Sequence, residues 1–173
     1  FSNNKKTIKL LGQICTRSYR INKIATVIKH IPGHGRSLTD SHKTLPTIKE
    51  SQKTLENYDF ECFKKMNSLF AMTAHLLYSK IDPINVCTHS KKIISSIIRK
   101  KIGFKGILIS DDIAMKALKY DLLTNAKKSL MAGCNLVLYC SGNYKDSLVL
   151  LKQLPLIDDF TIKKTSEFYR FLS

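Results

Sequence analysis

Residues 106–112 read GILISDD, an Ile-Leu-Ile-Ser run that passes without a break into two carboxylates. A strand with one wet face alternates apolar and polar residues. A continuous apolar run bounded by glycine instead predicts a strand covered on both sides, the kind found in parallel sheets flanked by helices. Asp111 and Asp112 then stand at the C-terminal end of that strand.

Working outward, the same grammar repeats. KIATVIKH predicts a strand at about 23–29, SLFAMTAH a second ending at His75, and NLVLYC a fourth after GILISDD. Between them lie helical patterns. KKTIKLLGQICTRSYRIN predicts a helix over 4–21, with Ile8, Leu11, Ile14 and Cys15 on one face. YDFECFKKMN predicts a short helix, and a long polar loop runs to about Pro46. SKKIISSIIRKKIGF sets Ile93, Ile94, Ile97 and Ile98 on one face and ends near Gly103, where a C-cap glycine belongs. Further helices are predicted over 121–132, stopped by Gly133, and over 143–153 and 159–171. The fold class is therefore α/β, with one helix followed by four strand-to-helix units.

Polar residues gather just past the strand ends: Lys29-His30, Thr73-His75, Asp111-Asp112 and Ser141-Asn143. In a (β/α)8 barrel the catalytic face is built from those ends. Four units are half of such a barrel, so the pattern predicts its second half, the last four strand–helix units. Residues 1–173 form a single partial domain on this reading. The chain begins at Phe1 rather than Met, which fits a piece of a longer sequence.

Composition narrows the function classes. At 173 residues and 43% hydrophobic, with seven glycines and four prolines, the chain can bury a core. No apolar run approaches the roughly 18 residues of a membrane helix. The net charge of +16 invites a nucleic-acid partner, but only five of the 29 basic residues are Arg and the lysines are spread along the chain. Phosphate and base recognition favours Arg forks, so no nucleic-acid partner is expected. A non-enzymatic basic module binding nucleic acid or an anionic polymer remains the alternative. The five cysteines are odd in number and never in a C-x-x-C pair, which predicts buried thiols of a cytoplasmic protein rather than a disulfide scaffold.

The segment KHIPGHGRSLTDSH (29–42) holds three of the five histidines. His42 lies two residues from Asp40, and a carboxylate beside an imidazole makes a competent acid/base near neutral pH. His30, His34, His42 and Asp40 can also be drawn as a zinc set, although three residues separate the histidines of HIPGH where a strand-end metal site uses H-x-H. Asp111 suits a nucleophile, a base or a metal ligand. Either aspartate of the pair could instead cap the following helix. Lys29 and His30 close a strand where hydroxyl groups can be gripped. His34 between Gly33 and Gly35 reads as loop-shaping, His75 as a pocket wall ahead of a buried hydrogen-bonded ring, and His89 as structural, with Ser90 the better helix cap.

These segments together resemble the β-N-acetylhexosaminidases of glycoside hydrolase family 3, the type that trims N-acetylglucosamine from cell-wall fragments. KHIPGHGRSLTDSH is similar to that family's K-H-[FI]-P-G-H-G…D-S-H signature, MTAHLLY to its M-T-A-H element, GILISDDIAM to its active-site pattern, and AGCNLVLYC to its last-strand segment. The motifs stand in family order between residues 29 and 140. The resemblance implies Asp111 as nucleophile, His42 as acid/base with Asp40 as its partner, and Lys29 and His30 as ligands of the sugar hydroxyls. Asp112 becomes structural. It implies a retaining mechanism with no metal and no cofactor, acting on an N-acetylglucosaminyl saccharide or muropeptide. Full-length members carry four further strand units, with an Asp and an Arg that also bind sugar. FSNN begins just past the family's R-S-F motif, so the N-terminal half of the barrel is expected as a required partner. Arg36 stands after GHG where many members have Asp or Ala.

Overall fold

The computed structural model describes residues 2–37 and 45–173. Its centre is a four-stranded parallel sheet of β1 (Val27–Ile31), β3 (Phe70–Thr73), β5 (Ile107–Asp112) and β6 (Leu136–Leu138), ordered along the sheet as along the chain. The two-residue strands β2 (Thr47–Ile48) and β4 (Leu77–Tyr78) pair in parallel beside it. Neighbours in sequence are neighbours in space, joined by crossovers, which is the connectivity of part of a (β/α) barrel.

The register decides what shares a face. Ile28, Ala71 and Leu108 are aligned across β1, β3 and β5, and Met72, Ile109 and Leu136 across β3, β5 and β6. Along β5 the Leu108 and Ser110 face is buried, while Ile109 and Asp111 on the alternate face stay partly open. The buried face packs on a core of Ile31, Leu55, Phe60, Tyr78 and the isoleucines at 93, 94, 97 and 98. Those four isoleucines lie on one side of a wide, π-type helix, Ile93–Ile102, as their spacing predicts. It ends at Gly103 in the left-handed conformation, φ 79°, which glycine adopts without a Cβ clash. A second cluster of Val86, Ile113, Leu118, Ala126 and Leu150 lies under the later helices.

Local capping explains the helix boundaries. α1 (Lys5–Ile21) starts on Asn4, whose side chain accepts from the Lys6 and Thr7 amides. α3 (Leu122–Ala132) starts on Asp121, α4 (Tyr144–Gln153) on Asn143 and α5 (Asp159–Leu172) on Asp158, each accepting from an amide in the first turn. Several boundaries depart from the sequence reading. The segment predicted as a short helix, YDFECFKKMN (58–67), holds only a 3-10 turn, Phe60–Phe63, and the helix, α2 (Gln52–Asn57), lies just before it, where Ser51 caps through the Thr54 amide. The first strand is Val27–Ile31 rather than about 23–29, the second stops at Thr73 short of His75, and the fourth is confined to Leu136–Leu138. Of the five free cysteines only Cys87 and Cys134 are buried; Cys15 and Cys140 are exposed and Cys62 is intermediate.

α5 closes the end of the sheet where the strands begin. Phe168 meets Phe70 edge-on at 5.1 Å, and Asn135 Nδ2 donates to Thr161 Oγ1 at 3.0 Å. That end is a scaffold. The opposite end, where the strands finish, is left open to carry polar groups.

Candidate active site

Asp111 and Asp112 close β5 in different surroundings. Asp112 is held on three sides. Its Oδ1 accepts from the Ala114 amide at 3.1 Å and the Cys140 amide at 3.2 Å, and its carbonyl accepts from His75 Nε2 at 2.9 Å. This is the scaffold role expected of one of the pair. The Asp112 amide donates to Asp111 Oδ1 at 2.9 Å. Asp111 therefore has one oxygen fixed by backbone and the other, Oδ2, directed at His30 Nε2, 3.6 Å away.

His30 is brought to Asp111 by the end of β1, next to two cis peptides, Lys29–His30 and Ile31–Pro32. Its pKa is lowered, chiefly because burial penalises the imidazolium; Asp111 opposes this, while the Lys29 charge adds to it. At neutral pH it is thus a neutral ring able to share a proton with a hydroxyl or with Asp111. His34 stacks obliquely near it, ring centroids 5.8 Å apart. Lys29 is exposed and lines a trough of about 500 Å³ between α1 and β1, together with Ile8, Cys15 and Met66.

Asp40 and His42, read as the acid/base pair, lie outside the described residues. The residues on either side, up to 37 and from 45, are described. On the earlier side, Gly33 has φ 145° and its carbonyl accepts from the buried Tyr78 hydroxyl at 2.6 Å. Arg36 Nε donates to Asp59 Oδ2 at 2.7 Å. On the later side, the Pro46 carbonyl accepts from the Leu77 amide at 2.9 Å. Arg36, the position that departs from the family pattern, is thus held by Asp59.

Of the two readings of His75, the favoured pocket wall is overturned and the other holds: the ring is fully buried, with Nδ1 at 2.8 Å from Thr88 Oγ1 and Nε2 on the Asp112 carbonyl. Thr88 in turn meets Thr73 Oγ1 at 2.9 Å. His89 is structural, as read, with its pKa pushed down to about 4 mainly by burial, and Ser90 Oγ accepts from the Ile93 amide as a cap. The sequence reading missed Thr88, Tyr78 and Asp59. Each acts across 13 to 45 residues on a partner that no local spacing marks. Among the described residues no three His, Cys, Asp or Glu side chains converge as a metal site, and no helix is long and apolar enough to cross a membrane.

Comparison with known proteins was made against this geometry. Residues 1–164 match the model of the glycosyl hydrolase family 3 N terminal domain. The chain is 36% identical over 126 residues to a beta-hexosaminidase of Shewanella frigidimarina, covering 69% of this chain and 37% of that protein. Among solved structures it superposes on the beta-N-acetylglucosaminidase of Thermotoga maritima with a TM-score of 0.76 and 28% identity, covering 98% of this chain and 39% of the other. It also superposes on NagZ of Neisseria gonorrhoeae in complex with N-trifluoroacetyl-D-glucosamine, TM-score 0.77 and 26% identity, covering 88% of this chain and 44% of the other. The chain spans less than half the length of the curated relatives, 35% to 44% for the first eight.

Proposed function

The chain belongs to glycosyl hydrolase family 3, whose N-terminal domain its residues 1–164 match, and on that premise we propose that it is part of a retaining exo-β-N-acetylglucosaminidase. The observation that carries the proposal is the state of Asp111. One carboxylate oxygen is tied to the Asp112 amide and the other is left toward the open strand end beside His30. A nucleophile needs that asymmetry, since a carboxylate tied at both oxygens attacks poorly and one tied at neither is not oriented.

In the first step Asp111 Oδ2 attacks the anomeric carbon and the bond to the leaving oxygen breaks. His42, with Asp40 beside it in the chain, supplies the proton that the leaving oxygen takes. In the second step His42 removes a proton from water, which attacks the glycosyl-enzyme and frees Asp111. His30, neutral because it is half-buried, and Lys29 take the sugar hydroxyls. The reaction needs neither metal nor organic cofactor.

The substrate class is a terminal β-linked N-acetylglucosamine on a saccharide or muropeptide, in the recycling of cell-wall fragments. Support comes from the Neisseria relative, whose solved complex holds an N-acylated glucosamine. A cytoplasmic site of action fits five unpaired thiols. The other half of the pocket belongs to a complementary set of four strand–helix units. The two outer strands, β1 and β6, each have one neighbour in the main sheet, and the trough beside β1 is apolar.

The test is hydrolysis of an aryl β-N-acetylglucosaminide by this chain assembled with the complementary half barrel. Release of the chromophore should fall at least about 1,000-fold in Asp111→Asn, which removes the nucleophile and keeps the shape. Near-normal turnover in that variant would remove Asp111 from the role.

A further inference from the structure

We propose that His75 is a positioning residue for Asp111, acting through the backbone of Asp112. The proposal rests on the reading of Asp111 as nucleophile, and the chain of contacts is continuous. A carbonyl can only accept, so the 2.9 Å contact with the Asp112 oxygen requires the proton on His75 Nε2. In a neutral ring Nδ1 then accepts, and the Thr88 hydroxyl at 2.8 Å donates to it. Thr88 has a weaker alternative acceptor in the Ala74 carbonyl at 3.2 Å, and the Thr73 hydroxyl at 2.9 Å completes its environment. All three side chains, Thr73, His75 and Thr88, are fully buried, so water does not compete for these bonds.

The consequence reaches the carboxylate. Asp112 is the residue whose amide holds Asp111 Oδ1 at 2.9 Å. Its carboxylate is tied to the Ala114 and Cys140 amides, which fixes its side chain, while its carbonyl accepts from His75 Nε2 at 2.9 Å and from the Met115 amide at 3.1 Å, His75 being the bond that comes from outside its own turn. With both ends held, its amide has one direction, toward Asp111. His75 comes from the end of β3 and Asp112 from the end of β5, so the ring bridges the tips of two adjacent strands. Burial is the largest influence on the ring and keeps it neutral, opposed by Asp112 and Asp111; His30 and His89 are the other titratable groups within electrostatic reach of it. His75 touches no substrate position itself.

Two variants and an isostere separate positioning from packing. In His75→Gln the amide nitrogen can take the place of Nε2 and keep the bond to the Asp112 carbonyl. In His75→Asn the shorter side chain keeps the Thr88 side and gives up Asp112. Thr88→Val leaves the ring in place and removes the donor that selects its tautomer. Hydrogen exchange of the Asp112 amide, read on this chain, should be roughly tenfold faster in His75→Asn and Thr88→Val, the equivalent of one hydrogen bond's net worth. It should be near wild type in His75→Gln, with the Leu108 amide unchanged throughout. In the assembled enzyme His75→Asn should lower kcat by about 100-fold with KM held, as misplacement of a reacting group does, and His75→Gln should restore most of it. Imidazole nitrogen shifts should report the Nε2–H tautomer.

An Nδ1–H tautomer overturns the proposal. So does wild-type exchange at Asp112 in both His75→Asn and Thr88→Val. If Asp111→Asn keeps its activity while Asp112 exchange responds as stated, the nucleophile reading fails and the His75–Asp112 linkage stands.

Discussion

At the scale of single residues, two adjacent aspartates do different work because of what donates to them. Asp112 accepts from two backbone amides with the same oxygen, so Asp112→Ala leaves both amides without that partner. A loss of about 2–3 kcal/mol in unfolding free energy is expected, the usual worth of charge-assisted bonds, measured by urea denaturation. Buried and half-buried histidines set the response to acid. His30, His75 and His89 all have pKa values below the ordinary one, each chiefly through burial, with His89 at about 4. The unfolded chain binds protons to these rings near pH 6.5 while the folded chain does not, so stability rises with pH across that interval. Thermal midpoints should therefore drop as pH falls from about 6.5 toward 4, and His89→Gln should flatten that drop. A midpoint that is higher at pH 4.5 than at pH 7 would contradict the assignment.

At the scale of elements, the strand ends collect the chemistry while the strand beginnings collect the bracing. Arg99, from the π-type helix, donates through Nη1 to the Gly106 carbonyl at 2.7 Å and the Phe104 carbonyl at 3.2 Å. Its Nη2 donates to Asn135 Oδ1 at 2.7 Å. One planar fork thus ties the start of β5 to the start of β6. Arg99→Lys cannot reach all three acceptors, and a loss of about 2–3 kcal/mol is expected in the same denaturation assay, from carbonyls left short of a partner. At Gly106 a methyl group would run into the Leu69 carbonyl, so Gly106→Ala should also destabilise, through the backbone of β3.

The elements that were legible in the sequence are those whose signals are local. The isoleucine face before Gly103, the Asp and Asn caps, and the apolar run GILIS all follow from the order of a few residues. The short helix was misplaced because its cap, Ser51, lies outside the aromatic stretch that drew attention. Lys29-His30 and Asp111-Asp112 were each legible as the polar end of a strand; that His30 Nε2 stands 3.6 Å from Asp111 Oδ2 comes from the structure. The buried linkage through Thr88 was not legible, since it depends on a turn folding back against β3, and sequence order does not reveal that.

At the scale of the whole molecule, four parallel strands make an open sheet whose outer strands, β1 and β6, each have one neighbour in that sheet among the described residues. Ile8, Leu11, Ile14, Ile24 and Val27 remain exposed along the β1 side, and Leu151, Leu156 and Tyr169 are exposed on the later helices. Apolar surface beside a free strand edge favours association. The chain by itself should sediment as species heavier than its 19.7 kDa, and the complementary half barrel should reduce them to a defined one-to-one complex. A stable monomer with an unaltered spectrum on adding that half would argue that the edges are already satisfied.

The central claim is that Asp111 forms a glycosyl-enzyme. The assembled protein can be treated with a slow-turnover fluorinated N-acetylglucosaminyl donor, digested, and mapped by mass spectrometry. One added N-acetylhexosaminyl group is expected on the peptide that carries Asp111, absent in Asp111→Asn. An adduct on any other residue would contradict it, as would turnover of the donor to an α-configured product with no adduct at all.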